Sequence, residues 1–389
     1  MPLSRVGPVT GSWERATAGR AAPLALVDLE AFDANAADLV RRAAGKPVRV
    51  ASKSVRCRAL LRRALDRPGF RGVMAYSVRE ALWLAADGFT DLFVAYPSAD
   101  REALESLAAN GHAAAQVTVT VDSVEHVAFL AALQRPHPLR VAVDVDASLR
   151  VGSLHLGVRR SPLRSAGQVV AVARAAQAAG LDVVGLMFYD AQVAGLPDSS
   201  PAVRLVKARS TRDLLGRRAE VVAAVRDVAT LEFVNGGGTG SLHVASRDPS
   251  LTELAAGSGL FGPTLFDGYR SFRPRPAAAF ALPVVRRPAP GVVTVFGGGY
   301  TASGPPGWSR SPSVLAPRGL RLLRSEGAGE VQTPLRGPAA DGLGIGDRVW
   351  FRHAKAGELC ERFDELHLVR GDELVDRVPT YRGEAANFG

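Results

Sequence analysis

The stretch "PVRVASKSVRCRALLRRALDRPGFRGVMAYS" (47–77) passes from a short apolar run, "PVRVAS" (47–52), through "VRCRALLRRALDR", to a second apolar run, "GVMAYS" (72–77). In the middle segment the leucines and alanines recur at three and four, the period of a helix with one buried face, whereas the flanking runs are short and rich in β-branched and small residues. Strand, helix, strand implies a crossover connection and hence parallel strands. The pattern continues outward through "DLFVAYP" (91–97), "VTVTVDS" (117–123), "LRVAVDVD" (139–146), "DVVGLMFYD" (182–190), "LEFVNGG" (231–237) and "ELAAGSGLFG" (253–262). Between them lie helical-period segments such as "VREALWLAADG", "VEHVAFLAALQ", "SAGQVVAVARAAQAAG" and "VRLVKARSTRDLLGRRAEVVAAVRDV". Eight such runs in about 240 residues fit a closed (β/α)8 barrel. An open doubly wound sheet is the competing arrangement. The barrel is preferred because polar residues recur at the carboxyl end of nearly every run, where a barrel gathers its active face.

After about residue 275 the texture changes. "RPRPAAAF", "RRPAPG", "GGGYTASGPPGWSRSP" and "RGPAADGLGIGD" punctuate short extended runs, "VVTVF", "RVWF", "ELHLV" and "ELVDRVP", with no long helical segment. This predicts a smaller all-β domain. The expected division is an N-terminal extension over 1–22, a (β/α)8 barrel over 23–275 and a smaller all-β domain over 276–389.

The bulk composition excludes several classes. With 389 residues and 47% apolar content the chain can fill two cores. No run is long enough to span a bilayer, and the opening "MPLSRVGPVTGSWERATAGR" lacks the continuous apolar region of a secretory signal. Cys57 and Cys360 form no disulfide framework and fit a reducing compartment, so a cytoplasmic protein with no membrane partner is expected. The net charge of +10 raises the question of nucleic acid, but the arginines are scattered among acids and alanines on wet helix faces, with no basic block interleaved with aromatics. No nucleic-acid partner is expected.

Lysine is scarce: the chain has only Lys46, Lys53, Lys207 and Lys355. Lys53 stands at the end of the first barrel-like strand, and there an amine can do what a guanidinium cannot, namely lose its proton and attack a carbonyl. A lone rim lysine is ordinarily a snorkelling side chain. Here, however, "VNGGGTGS" (234–241) follows the seventh run and "AAGSGLFG" (255–262) holds the end of the eighth, and glycine-rich loops after the last two strands are where such barrels bind phosphate through backbone N–H groups. A lysine and a phosphate cradle on one rim point to pyridoxal 5'-phosphate held as a Schiff base. "GGGY" (297–300), with no helix after it, reads as a turn.

These features, together with "APLALVDLEAFDAN" (22–35), "VDVDASLRVG" (143–152), "GLMFYDAQ" (185–192), "LTELAAGSGLF" (251–261) and "GIGDRVWFRHAKAGE" (344–358), resemble the fold-type III pyridoxal phosphate enzymes. The resemblance is to the D-threonine aldolase and D-serine dehydratase branch, which takes in amino acid deaminases and aldolases, and more distantly to alanine racemase. It implies a homodimer acting on a small amino acid, with Lys53 as the Schiff-base lysine and Tyr189 reaching the cofactor phosphate. Gly237, Gly238, Thr239, Gly240 and Ser241 resemble the main-chain cradle, closed by Gly257 and Ser258. Arg150 is similar to an arginine near the cofactor ring, although its position also suits a loop cation paired with Asp144 or Asp146. The implied activity is that of a lyase on D-configured β-hydroxy amino acids, by aldolase-type cleavage or dehydratase-type deamination. An amino-acid racemase would need a further base, for which Tyr269 and Tyr300 are the nominal candidates, and a non-catalytic pyridoxal phosphate-binding protein would keep Lys53 and the loops without the bases.

One departure stands out. In this branch a late His, followed two residues on by Asp or Cys, holds a divalent metal. Here His353 matches, but Lys355 takes the second position, and an ammonium cannot ligate. A metal site is therefore unknown, with Glu358 and Cys360 as substitutes only if the loop folds back. His353 and Lys355 remain candidates for catalysis in their own right.

Overall fold

A computed structural model of the chain describes residues 7–388; residues 1–6 of the expected N-terminal extension lie outside it. Eight parallel strands close into a barrel: Val48–Ala51, Phe70–Ala75, Leu92–Val94, Val117–Val121, Arg140–Asp144, Asp182–Phe188, Phe233–Gly236 and Glu253–Ala256, the last pairing back onto the first. Each falls within or beside one of the eight apolar runs. Strands covered on both faces are continuously apolar, which is why the runs were visible. The interior is filled in part by Phe93, Ala142, Val184, Met187 and Phe233. Gly185 is required there, since a β-carbon would lie 2.6 Å from the Phe233 ring edge. Lower in the barrel Arg49 is fully buried, and its Nε and Nη2 donate to Glu253 at 2.7 and 2.8 Å.

The helices follow local rules. Leu29–Ala43 opens with Asp28, whose carboxylate accepts from the Ala31 amide, a cap that stabilises by about 1 kcal/mol. Ala166–Ala178 starts with a reciprocal capping box between Ser165 and Gln168. The longest, Pro201–Arg226, has proline in its first turn, where no amide partner is lost. No helix among the described residues is long and apolar enough to cross a membrane.

The second region is all-β. A nine-stranded sheet is built on Ala278–Ala289, which pairs with Val292–Phe296 and Arg348–Arg352, and it extends to Glu365–Arg370 and Glu373–Pro379. One element departs from the expected 23–275 barrel unit. Leu24–Asp28 lies in this sheet, antiparallel to Ala278–Ala289 and parallel to Glu365–Arg370. Its five residues, "LALVD", are as apolar as a barrel strand, so their pattern could not name their partner. The helix Gly7–Ala16 packs beside it, with Trp13 1% exposed and its ring 5.7 Å from that of Trp350.

Candidate active site

The carboxyl ends of the barrel strands and two loops of the β region enclose a cavity of about 520 Å³. The first strand ends in a single 3-10 turn, Ser52–Ser54, which turns Lys53 into the cavity. Its amine donates to the Tyr96 hydroxyl, which stands two residues past the third strand. Tyr189, at the end of the sixth strand, forms another wall, and burial pushes its phenol above the ordinary value. The Arg160 guanidinium lies 4.9 Å from the Tyr189 ring centre and 5.4 Å from that of Tyr96, close enough for cation–π attraction.

Beside Tyr189 the chain presents backbone. Gly237, Gly238, Thr239 and Gly240 after the seventh strand, and Gly257 and Ser258 after the eighth, line the cavity. These glycines are needed for close approach. A β-carbon at Gly240 would overlap the Ala194 carbonyl and sit 2.8 Å from the Tyr269 ring; at Gly257 it would sit 2.5 Å from the Ala51 carbonyl. Gly237 also has φ +77°. The cradle is braced from behind: buried Arg42 donates to the Thr239 carbonyl at 2.7 Å, and the Thr239 hydroxyl accepts from Ser258 Oγ and the Gly259 amide, both at 3.2 Å. Ser241 does not line the cavity. Its hydroxyl is turned inward to the Asp190 carboxylate at 3.3 Å, so it steadies the loop from beneath.

The β region supplies the remaining wall. Gly357, at φ +101°, sits so close over the Lys53 carbonyl that no side chain would fit between them. That approach brings Lys355 and Glu358 to the cavity together with Ser303 and Arg310. Lys355 Nζ donates to the Ser303 carbonyl and hydroxyl at 3.0 and 3.1 Å, and the Ser303 amide donates to Glu358 at 2.9 Å. Burial pushes the Lys355 ammonium below its ordinary value; Glu358 opposes this, while Arg310 and Lys53 add to it.

Several expected residues lie elsewhere. Arg150 sits on a short hairpin, Leu149–Val151 with Leu154–Leu156, where it pairs with Asp146 at 2.8 Å and does not line the cavity. The arginine that reaches the cavity is Arg160, in a loop whose sequence carries no period to announce it. His353 is 2% exposed and edge-on to Phe261, and among the described residues neither ring nitrogen has a partner within hydrogen-bonding geometry. Burial drives its pKa down to about 3, which leaves it neutral and unsuited to donate a proton. Cys360 is buried with its thiol on the Val55 carbonyl. Tyr269 donates to the Ala194 carbonyl at 2.8 Å and Tyr300 packs on Phe280 and Phe363, so within this chain neither reaches the cavity. Tyr96 was readable from its strand-end place in "DLFVAYP"; Ser303 and Arg310 carried no such signal.

Sequence comparison matches residues 27–264 to the family described as alanine racemase, N-terminal domain. The chain belongs to that family. Among curated relatives it is similar to a 3-hydroxy-D-aspartate aldolase of Paracoccus denitrificans, at 29% identity over 194 residues; the match spans 50% of this chain and 47% of the relative. The chain thus matches about half the length of that relative. A D-threonine aldolase of Arthrobacter sp. is 29% identical over 294 residues, with 71% of each chain covered. The fold is similar to that of the crystal structure of D-threonine aldolase from Filomicrobium marinum, with TM-score 0.78 and 24% identity over 93% of this chain and 95% of that one.

The cavity fits the cofactor this family implies. It offers an amine on a strand end and a cradle from which side chains are sterically excluded, as backbone contact with a phosphate requires. Among the described residues no group of three or more His, Cys, Asp or Glu side chains is arranged to hold a metal ion.

Proposed function

We infer that the protein is a pyridoxal phosphate-dependent lyase acting on D-configured β-hydroxy amino acids, with Lys53 as its Schiff-base lysine. The observation that carries this reading is the meeting of the Lys53 side chain and both glycine loops on one cavity. Gly237, Gly238, Thr239, Gly240, Gly257 and Ser258 would hold the phosphate, and Tyr189, beside Gly238, would reach it. Bound there, the cofactor supplies an electron sink for the pair left when a bond at the substrate α-carbon breaks. The chain's own groups do the rest. Lys53, hydrogen-bonded to Tyr96, holds or moves the proton at the α-carbon. Arg160 presents donors suited to a carboxylate. Aldol cleavage would give glycine and an aldehyde, and dehydration a keto acid and ammonia. The resemblance further suggests a homodimer, and two buried, unpaired cysteines suit a cytoplasmic setting.

The test is a purified, cofactor-loaded protein reduced with borohydride and digested, with the pyridoxyl group expected on the Lys53 peptide. A panel of D- and L-β-hydroxy amino acids, with products identified by mass, then separates the reactions. A label on Lys46, Lys207 or Lys355, or no product from any member of the panel, would defeat the reading.

A further inference from the structure

Under the lyase reading, the oxygen on the substrate β-carbon needs a positive partner. The family pattern would place a divalent ion there, but the donors for one are not in place. The His353 ring is packed against Phe261 and does not line the cavity. Two residues on stands a lysine, and the Cys360 thiol is turned to Val55. Among the described residues the cavity wall carries a single carboxylate, Glu358, and one of its oxygens already accepts from Ser303. The same wall holds Lys53, Arg160, Arg310 and Lys355, none with an ion-pair partner within 4.0 Å among the described residues. A dication brought among these groups would be repelled by every one of them.

We propose that Lys355 stands in for the metal: its ammonium, seated by Ser303, binds and polarises the oxygen on the substrate β-carbon, and the protein needs no divalent ion. An ammonium has three donors. Two are spent on the Ser303 carbonyl and hydroxyl, which fixes the nitrogen in place and leaves the third for a ligand. Its place on the cavity wall is tied to Gly357, two residues on, which rests on the Lys53 backbone. Lys355 therefore reports on the same cavity as Lys53 from the opposite domain. A cation at this point favours a substrate with an electron-rich β-substituent over one with a bare methyl group.

This inference rests on the lyase reading, and the experiment separates the two. Cofactor-loaded protein is analysed for metals, titrated with Mn²⁺ and Zn²⁺ by calorimetry, and assayed before and after dialysis against a chelator. The expected result is no stoichiometric metal, no saturable binding and unchanged activity; a stoichiometric ion whose removal abolishes turnover overturns the proposal. In parallel, the change in cofactor absorbance is titrated with D-serine and with D-alanine, which differ by the β-oxygen alone. Wild type should prefer D-serine. Lys355→Met should lose that preference by about 10- to 100-fold, the worth of a hydrogen bond to a charged group, and Lys355→Arg should restore part of it. D-Alanine should keep its midpoint in both variants, which also shows that they fold. A preference that survives in Lys355→Met, or D-alanine binding lost along with it, overturns the role. Should no β-hydroxy amino acid yield product, the lyase reading fails while the midpoint ratio still decides the place of Lys355.

Discussion

On the barrel side of the cavity, beside the side chains of Lys53, Tyr96, Tyr189 and Arg160, a stretch of the wall is backbone, namely the loop 237–240 and Gly257, braced by Arg42 and Thr239 and crowded so closely that a β-carbon at Gly240 or Gly257 would overlap its neighbours. On the β side stand the ends of long side chains: Arg310, and Lys355 and Glu358, which Ser303 holds. The difference teaches what each wall can do. A backbone cradle offers the same donors whatever the residue type and can be spoiled only by bulk, so it suits a constant group. A wall of side-chain tips can be altered one residue at a time, so it suits discrimination between substrates.

The largest effect should come from Lys53→Ala, which removes the one amine on the barrel wall. Turnover should fall by about 10⁴-fold, the upper range for losing a proton-transferring group, and borohydride should no longer fix the cofactor to the chain. Next, Gly240→Val attacks the cradle by bulk alone. Overpacking against Ala194 and Tyr269 should weaken cofactor binding about 10- to 100-fold, read by fluorescence titration. With cofactor saturating, kcat should stay close to wild type, since phosphate contacts are the same before and during reaction. A fall in kcat with unchanged affinity would move these glycines out of the cradle.

A third prediction concerns the seam between the two walls. Glu80 is fully buried, accepts from the Tyr76 amide at 2.7 Å and from the Tyr381 hydroxyl of the β region at 2.9 Å, and is pushed by burial from 4.5 to about 7. The folded form thus keeps a proton that the unfolded chain gives up, so stability falls as pH rises from about 4.5 to about 7. For this group alone the loss between pH 5.5 and 8 should be roughly 2 kcal/mol. Urea midpoints at the two pH values should differ less in Glu80→Gln than in wild type; an equal or larger difference would place the pH dependence elsewhere. The smallest effects separate two arginines. Arg160→Ala should lower kcat/KM about tenfold by removing a charged donor from the cavity. Arg150→Ala breaks an ion pair on a half-exposed hairpin and should change kcat/KM less than about twofold.

The barrel was legible because parallel strands buried on both faces read as unbroken apolar runs, and the helices between them carried their own period. Lys53, Tyr189 and the glycine loops were legible for a related reason: the barrel sends strand ends to one rim, so a position just past a strand is already a position in space. Arg160, Ser303 and Arg310 had no such rule. They reach the cavity by loop paths that no spacing encodes, and Arg150, the arginine in the expected motif, points to Asp146 instead. His353 has its place in a motif, but its burial beside Phe261 is a packing outcome that neighbours in sequence do not reveal.

The strand Leu24–Asp28 has a consequence for how the chain is made. It hydrogen-bonds on one side to residues 278–281 and on the other to residues 367–369, so it waits for partners that leave the ribosome some 250 and 340 residues later. The whole barrel is synthesised in that interval and can close before the sheet that flanks it exists. Until then a five-residue strand, four of its residues apolar, stands as an unpaired edge, able to recruit a strand from another nascent chain. A chain halted before Glu365 would therefore carry a finished barrel and an open, adhesive border.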